Sequence, residues 1–400
     1  MLMQDQRGQA NAKVDRRAHA PKRQVPPRAS SAEEVALRGG RMVCVDVLRG
    51  FDMFLIIGAD DVVRALASNS HNRWMQMLGA QFEHVPWDGC HLYDLIFPVF
   101  LFAIGVSMPF SFDKRMARGD SKASIYAHVF KRVAVLVILG AVIHGHLLSF
   151  NVHQLTASYS VLMVLALGYM VASFILLNLS VRGQIVMTVA LLVVYWALMN
   201  YVPVPGHVVG VYKPGLNLGD WLNNFVLGKL QAGWHNGWIL QSMTNGATAM
   251  LGVFAAYLLR SRKPDSQKLL WLLGLGAACL LSGWVWSFWF PIIKNRWTST
   301  YVLWAGGWSY LALALFYWII DVRRYRRWAF PFIVIGMNAI VAYMAWGLFS
   351  RSFRMMADTL VGGLAQYTGR WYDAIGWFVA MSILWLGLYC LYRTRTFIKI

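Results

Sequence analysis

Apolar positions in this chain gather into long unbroken runs, and short polar segments, mostly basic, separate them. A run of about 18 or more apolar residues is the length that crosses a bilayer as a helix. The runs predict about ten spans. The first covers about 42–67 and the second 92–112, while a third begins after Arg132 and ends near 148. Others are expected at 158–177, 183–202, 244–259, 269–290, 300–320, 329–349 and 372–392. Residues 1–41 carry no such run. They are rich in Arg, Gln, Ala and Pro, which predicts a disordered basic tail on the cytoplasmic side and no cleavable leader. The expected fold class is all-α: a polytopic transmembrane helix bundle over residues 42–400, embedded in a lipid bilayer.

Composition agrees, since hydrophobic residues make up 58% of the chain and charged residues 14%, far from the roughly 25% charged content of soluble domains. The net charge of +19 would suit nucleic acid if it formed a surface. Instead nine of the 37 Lys and Arg lie in the first 41 residues, and most others sit in alternate loops. Arg260, Arg262, Lys263 and Lys268 form one such cluster, Arg323, Arg324, Arg326 and Arg327 another, and Arg393, Arg395 and Lys399 a third. That alternation places both termini in the cytoplasm and excludes a nucleic-acid partner. In a bacterium the membrane would be the cytoplasmic (inner) one. Cys44, Cys90, Cys279 and Cys390 are scattered without ligand spacing, so neither a metal site nor a disulfide framework is expected. Oligomerisation with further copies of the chain is left open by the sequence.

Ionisable residues inside apolar runs are costly and mark candidate function. Span one carries Asp46, Arg49, Asp52, Asp60, Asp61 and Arg64. On an unbroken helix Asp46, Arg49, Asp60 and Arg64 fall within an arc of roughly 60°, and Asp46–Arg49 and Asp60–Arg64 have ion-pair spacing. Ion pairing that glues the helix into the bundle accounts for the Asp46 end equally well, whereas Asp60 and Asp61 suit substrate binding better. The stretch EHVPWDGCHLYDLIFPVFLF (83–102) places His84, Trp87, Asp88 and Asp94 where the chain enters span two, on the outer side. A histidine can carry a proton or an acyl group, provided a partner fixes its tautomer. Asp94, Asp88 or an acid at the outer end of span one could be that partner. His144 and His146 are two apart, about 200° on a helix, and cannot share a site. The Trp-, Asn- and Gly-bearing loop 203–241 suits either a sugar face or an interfacial helix.

Several segments resemble the heparan-α-glucosaminide N-acetyltransferase family, in particular its bacterial branch of membrane proteins. They are VDVLRGFDMF at 45–54, FEHVPWDGCHLYDLIFPVFLFAIGVSMPFS at 82–111, IIKNRWTSTYVL at 292–303 and RRWAFPFIVIGMN at 326–338. The resemblance implies a bundle that takes acetyl-CoA from the cytoplasm and acetylates an amino sugar on the far side. It makes His84 the catalytic residue; around it the candidate site takes Asp94 as partner and sets Asp60, Asp61, Trp87, Asp88 and Asn338 toward the substrate. Arg49, Lys131 and Arg132 would meet the acetyl-CoA, whose phosphates attract cations. The chain departs from the resemblance at Met163 and Val164, where a Gln–Arg or Gly–Arg pair is expected, and at Ile293 in place of Asn. The alternative expectation is a transporter of N-acetylglucosamine or a related amino sugar.

Overall fold

The computed structural model describes residues 42–398 except 152, 157–159, 207 and 231–237. The basic tail at 1–41 lies outside the described residues. The long elements of the described residues are all helices. In chain order the helices are α1 (Val43–Phe54), α2 (Asp60–Ser68), α3 (Arg73–Gln81), α4 (Ile96–Met116), α5 (Lys122–His144), α6 (Val161–Asn178) and α7 (Val181–Tyr201). They continue with α8 (Leu218–Leu227), α9 (Trp238–Arg260), α10 (Asp265–Trp286), α11 (Ser299–Phe316), α12 (Phe330–Met337), α13 (Ala339–Val361) and α14 (Tyr372–Arg393).

Among the described residues, eight helical stretches are long and apolar enough to cross a membrane, the last being Ala339–Arg393, which holds both α13 and α14. The protein is a multi-pass integral membrane protein with an all-α bundle. The first predicted span is not one of the eight. Its helix breaks at Leu55–Ala59, where Ile57 and Gly58 leave helical backbone angles and Gly58 takes φ +115°. Glycine is required there twice over, by that angle and because a Cβ would stand 2.8 Å from the Trp346 ring. The shared 60° arc of Asp46, Arg49, Asp60 and Arg64 assumed an unbroken helix, so it does not exist as drawn. The ninth predicted span is likewise interrupted, at Asn338 between α12 and α13.

Two boundaries also differ. The third span starts at Lys122, capped by the Ser121 side chain, so Lys131 and Arg132 lie inside α5 rather than before it. That helix ends at His144, with Gly145 as its cap and His146 in the left-handed region, so the two histidines do not share a helix.

Helices α4 and α9 form the centre, buried over most of their length. Their backbones touch: a Cβ on Gly105 would meet the Ala249 carbonyl oxygen at 1.9 Å, and one on Gly252 that of Phe102 at 2.0 Å. Small residues permit such close approach between membrane helices, where packing rather than hydrophobic transfer drives association. By contrast α7 and α10 expose Ile185, Val186 and Val189, and Leu270, Trp271 and Leu281. Apolar side chains on an outer face of this kind suit contact with lipid.

Candidate functional site

The 83–94 loop closes on one carboxylate. Asp94 is 1% exposed and sits in the 3₁₀ turn Leu92–Leu95 that opens α4. Its Oδ2 accepts from the backbone N–H groups of His91 (3.0 Å) and Val85 (3.3 Å). Its Oδ1 lies 2.8 Å from His84 Nδ1, and its backbone carbonyl accepts from the Tyr301 hydroxyl at 2.6 Å. A buried carboxylate needs such saturation, because each unmet lone pair would be an uncompensated desolvation cost. Loop shape and imidazole orientation therefore hang on one side chain. His84 itself is half exposed, with its ring fixed on the Nδ1 side.

A third group completes the cluster. Lys294, from the turn between α10 and α11, puts Nζ 3.0 Å from Asp94 Oδ1, 2.9 Å from His84 Nδ1 and 3.4 Å from His84 Nε2. The ammonium also lies over the Phe97 ring, 4.9 Å from its centroid. Burial pushes the Lys294 ammonium below the usual lysine range, and the Asp94 carboxylate opposes that push. Cys90 lies beside the same pair, and its burial raises the thiol to about 12, so it is an inert neighbour rather than a nucleophile.

Why Lys294 arrives there is a matter of straps. Gly89 N–H donates to the Ile292 carbonyl at 2.9 Å, which joins the His84 loop to the Lys294 turn in a short parallel bridge. Gly89 takes φ +110° to do so, an angle that a side chain would oppose. On the other side of the turn, Arg296 is buried and forms a two-pronged pair with Asp220 at the start of α8 (2.8 and 2.7 Å). Trp87 lies on the Arg296 guanidinium, 5.2 Å from its centre. Tyr195 donates to the Arg296 carbonyl (2.5 Å), Gln241 to that of Asn295 (2.6 Å), and the Trp297 indole to Thr248 (3.0 Å). The turn is thus pinned by α7, α8 and α9 at once.

Asp60 and Asp61 reach His84 through an intermediary. The His84 and Tyr93 rings lie 4.7 Å apart, and the Tyr93 hydroxyl donates to Asp60 Oδ2 at 2.7 Å. Arg64 bonds both acids, at 3.0 Å to Asp60 and 2.7 Å to Asp61. Asp60 Oδ1 is buried without a hydrogen-bond partner. Asp88 is exposed on the same loop.

The remaining candidates stand elsewhere. Arg49 bonds Ser107 on α4 at 2.7 Å and faces Asp46 at 3.7 Å. Ser107 lies thirteen residues beyond Asp94, about 20 Å along a helix. Arg132 stacks on Tyr169 at 4.5 Å, and Tyr169 packs near Phe112, also in the second half of α4. Lys131 is exposed. Arg49 and Arg132 thus share the half of α4 opposite to His84. Asn338 is on that side too, for it donates to the Thr396 carbonyl (3.1 Å) and accepts from Ile398 N–H (3.0 Å). Neighbouring Gly336 packs against the Asp46 carbonyl. Its amide is spent on the chain's own backbone, away from the histidine.

Sequence reasoning missed Lys294, Arg296, Asp220 and Tyr93. Lys294 and Arg296 stood only within the IIKNRWTSTYVL stretch that carries the resemblance, with no role given to either, although two cations in so patterned a stretch were a usable signal. Nothing in the sequence pointed to Asp220 as the partner of Arg296.

No protein-family model matches the chain. It is similar to the heparan-alpha-glucosaminide N-acetyltransferase of Mus musculus, 24% identical over 417 residues, covering 90% of this chain and 60% of the mouse protein. The Homo sapiens protein of the same name is 24% identical over 329 residues, covering 68% of this chain and 49% of its own length. The chain thus spans only about half to three-fifths of these relatives. The kinship is distant: this is a membrane-embedded protein distantly related to an acyltransferase family. Among the described residues no group of His, Cys, Asp and Glu is placed to hold a metal ion.

Proposed function

We propose that the protein is a membrane-bound acyltransferase that passes an acetyl group from acetyl-CoA to an amino sugar, with His84 as the reacting group. The observation that carries this reading is the 2.8 Å contact between His84 Nδ1 and the buried Asp94. A carboxylate on Nδ1 holds the proton there and leaves Nε2 as the basic edge, and the His84 side chain is half exposed. Such an imidazole can take a proton from a sugar ammonium so that the free amine attacks the thioester carbonyl and expels CoA as its thiolate, or Nε2 can attack that carbonyl itself, expelling CoA, and then pass the acetyl group to the amine.

Donor and acceptor ends are separable in this reading. His84, Trp87, Asp88, Asp60 and Asp61 are on the acceptor side, where Trp87 offers an apolar ring face to a sugar and the acids offer hydrogen-bond acceptors to its hydroxyls or amine. Arg49, Lys131 and Arg132 are on the donor side. Arg132 has a buried Nε with no hydrogen-bond partner, a fitting donor for an anionic group. Acetyl-CoA supplies the activated acyl group, and the chain's own residues bind its phosphates and hold the accepting nitrogen.

One observation favours transport instead: the break at Ile57 and Gly58 in the first helix, since discontinuous helices line the substrate sites of many carriers. A single set of measurements divides the readings. Purified protein with radiolabelled acetyl-CoA and glucosamine should release CoA and acetylate the sugar, and His84→Ala should abolish both. Vesicles that accumulate unmodified labelled N-acetylglucosamine without acetyl-CoA, with no CoA released, would overturn the acyltransferase.

A further inference from the structure

The three polar atoms at the centre, His84 Nδ1, Asp94 Oδ1 and Lys294 Nζ, lie within 3.0 Å of one another. Their protons cannot all be placed freely. If Nδ1 carries a proton, it donates to Asp94, and Lys294 donates to the same oxygen. If Nδ1 has none, Lys294 donates to Nδ1, but a bare ring nitrogen then faces a bare carboxylate oxygen at 2.8 Å. Each arrangement leaves one contact unmatched: the first sets two donors, Nζ and Nδ1, side by side at 2.9 Å, whereas the second leaves a bare nitrogen against the buried carboxylate, and only the first gives every short contact to Asp94 a proton.

Charge is the other half of the argument. The groups facing His84 are Asp94 from the start of α4, Lys294 from the turn before α11 and the Tyr93 ring. Asp60, Asp61 and Arg64 stand behind Tyr93, and the Cys90 thiol lies beside Asp94 and Lys294. Asp94 is almost wholly buried. With His84 alone beside it, that carboxylate would draw a second proton onto the imidazole, because a buried negative charge is stabilised by the nearest available cation. An imidazolium has no lone pair and can neither take a proton nor attack a thioester. Lys294 already supplies the cation. A second positive charge on His84 would then lie 2.9 Å from Nζ, with one carboxylate shared between two cations.

We propose that Lys294 is a charge-balancing positioning residue that keeps the His84 imidazole uncharged, with its proton on Nδ1 and its lone pair on Nε2. This deepens the reading of His84 as the reacting group and rests on it for its purpose, though not for its test. The same balance favours discharge: once His84 has taken up a proton or an acyl group, the cluster carries one excess positive charge, which is relieved when that cargo leaves. The backbone straps at Gly89 and Arg296 give Lys294 a fixed position, as a balancing charge requires.

Histidine-selective 15N labelling of the full chain in nanodiscs tests this, with the His84 resonances assigned by their loss in His84→Gln. The wild type at neutral pH should show a neutral ring protonated on Nδ1. Lys294→Met should show an imidazolium at the same pH. Carbethoxylation of His84 by diethyl pyrocarbonate, which attacks the neutral ring, should then slow by about tenfold or more. Lys294→Arg, which keeps the charge, should restore the neutral ring. If Lys294→Met does not fold, Lys294→Gln gives the same reading, since an amide still donates to Asp94 without the charge. A His84 ring that stays neutral and equally reactive without the lysine charge overturns the proposal. Neither readout involves acyl transfer, so a protein that shows this behaviour yet never releases CoA overturns the acyltransferase and leaves the role of Lys294 standing.

Discussion

Arg296 and Asp220 form a two-pronged ion pair, 2.8 and 2.7 Å, with side chains only 1% and 2% exposed. Asp220 is further held by Asn217 Nδ2 (2.8 Å) and Gly215 N–H (2.6 Å). Such a pair is weak grounds for net stability over an apolar substitute, yet breaking it strands a buried charge. Asp220→Ala should therefore destabilise the fold by about 3–5 kcal/mol, read by denaturant titration in detergent. The double variant Asp220→Leu with Arg296→Met should recover much of that loss. If the single variant unfolds like the wild type, the pair is not the anchor of the Lys294 turn.

Removing the carboxylate from Asp94 should act on chemistry and fold together. Asp94→Asn can still meet His84, but an amide does not fix the proton on Nδ1 as a carboxylate does, and Lys294 loses its counter-charge. Acetyl transfer should fall by about 10²–10⁴-fold. KM for the acceptor should change far less than kcat, because Asp94 is buried behind the ring and does not face the acceptor. A variant that loses acceptor binding but keeps kcat would place Asp94 in substrate recognition instead.

Membrane class and the His84 loop were legible in the sequence because both are local. An apolar run is its own signal, and the eleven residues from His84 to Asp94 are one short loop whose two ends meet. Lys294 lies 210 residues from His84 and Arg296 76 from Asp220, and one chain carries no trace of which distant loops pair. The break at Gly58 was illegible for another reason. Glycine in an apolar membrane segment is common, and only the packed Trp346 ring shows that this one marks a bend. The tie from the Asn338 amide to the backbone at Thr396 and Ile398 was equally illegible, since its partners lie about sixty residues further along the chain.

Gly89→Ala tests whether the loop-to-turn bridge matters. A Cβ there has room, with Val85 as its nearest neighbour at 3.6 Å, so any effect comes from φ +110° alone. The strain should cost about 1–2 kcal/mol. Because the bridge carries Lys294 to His84, transfer activity should drop more than stability alone explains. Equal thermal stability and full activity would show that the bridge is dispensable.

Tyr93→Phe separates the Asp60 cluster from the histidine. The hydroxyl donates to Asp60 Oδ2, and the other Asp60 oxygen is already buried without a partner. Oδ2 keeps its contact with Arg64 at 3.0 Å, so removing the Tyr93 donor should destabilise by about 1.5–3 kcal/mol, the net worth of one hydrogen bond to a charged group. The ring stays beside His84, so the His84 resonances should move little. A large change in the His84 ring signals on this substitution would mean that Asp60, not Lys294, governs its charge.

Lys294 also predicts a pH dependence with a definite sign. Its burial lowers the ammonium below the usual lysine range, with Asp94 pulling it part of the way back. Between that lowered value and the roughly 10.4 of a lysine in the unfolded chain, the folded protein has released a proton that the unfolded chain keeps. Unfolding takes up a proton in this window, so the contribution of Lys294 to stability rises with pH across it and is flat below and above. The unfolding free energy of wild type minus that of Lys294→Met should therefore increase as pH is raised through the alkaline window. A difference that falls with pH would mean that the folded state holds this proton more tightly than the unfolded chain, so that Asp94 outweighs burial at the site.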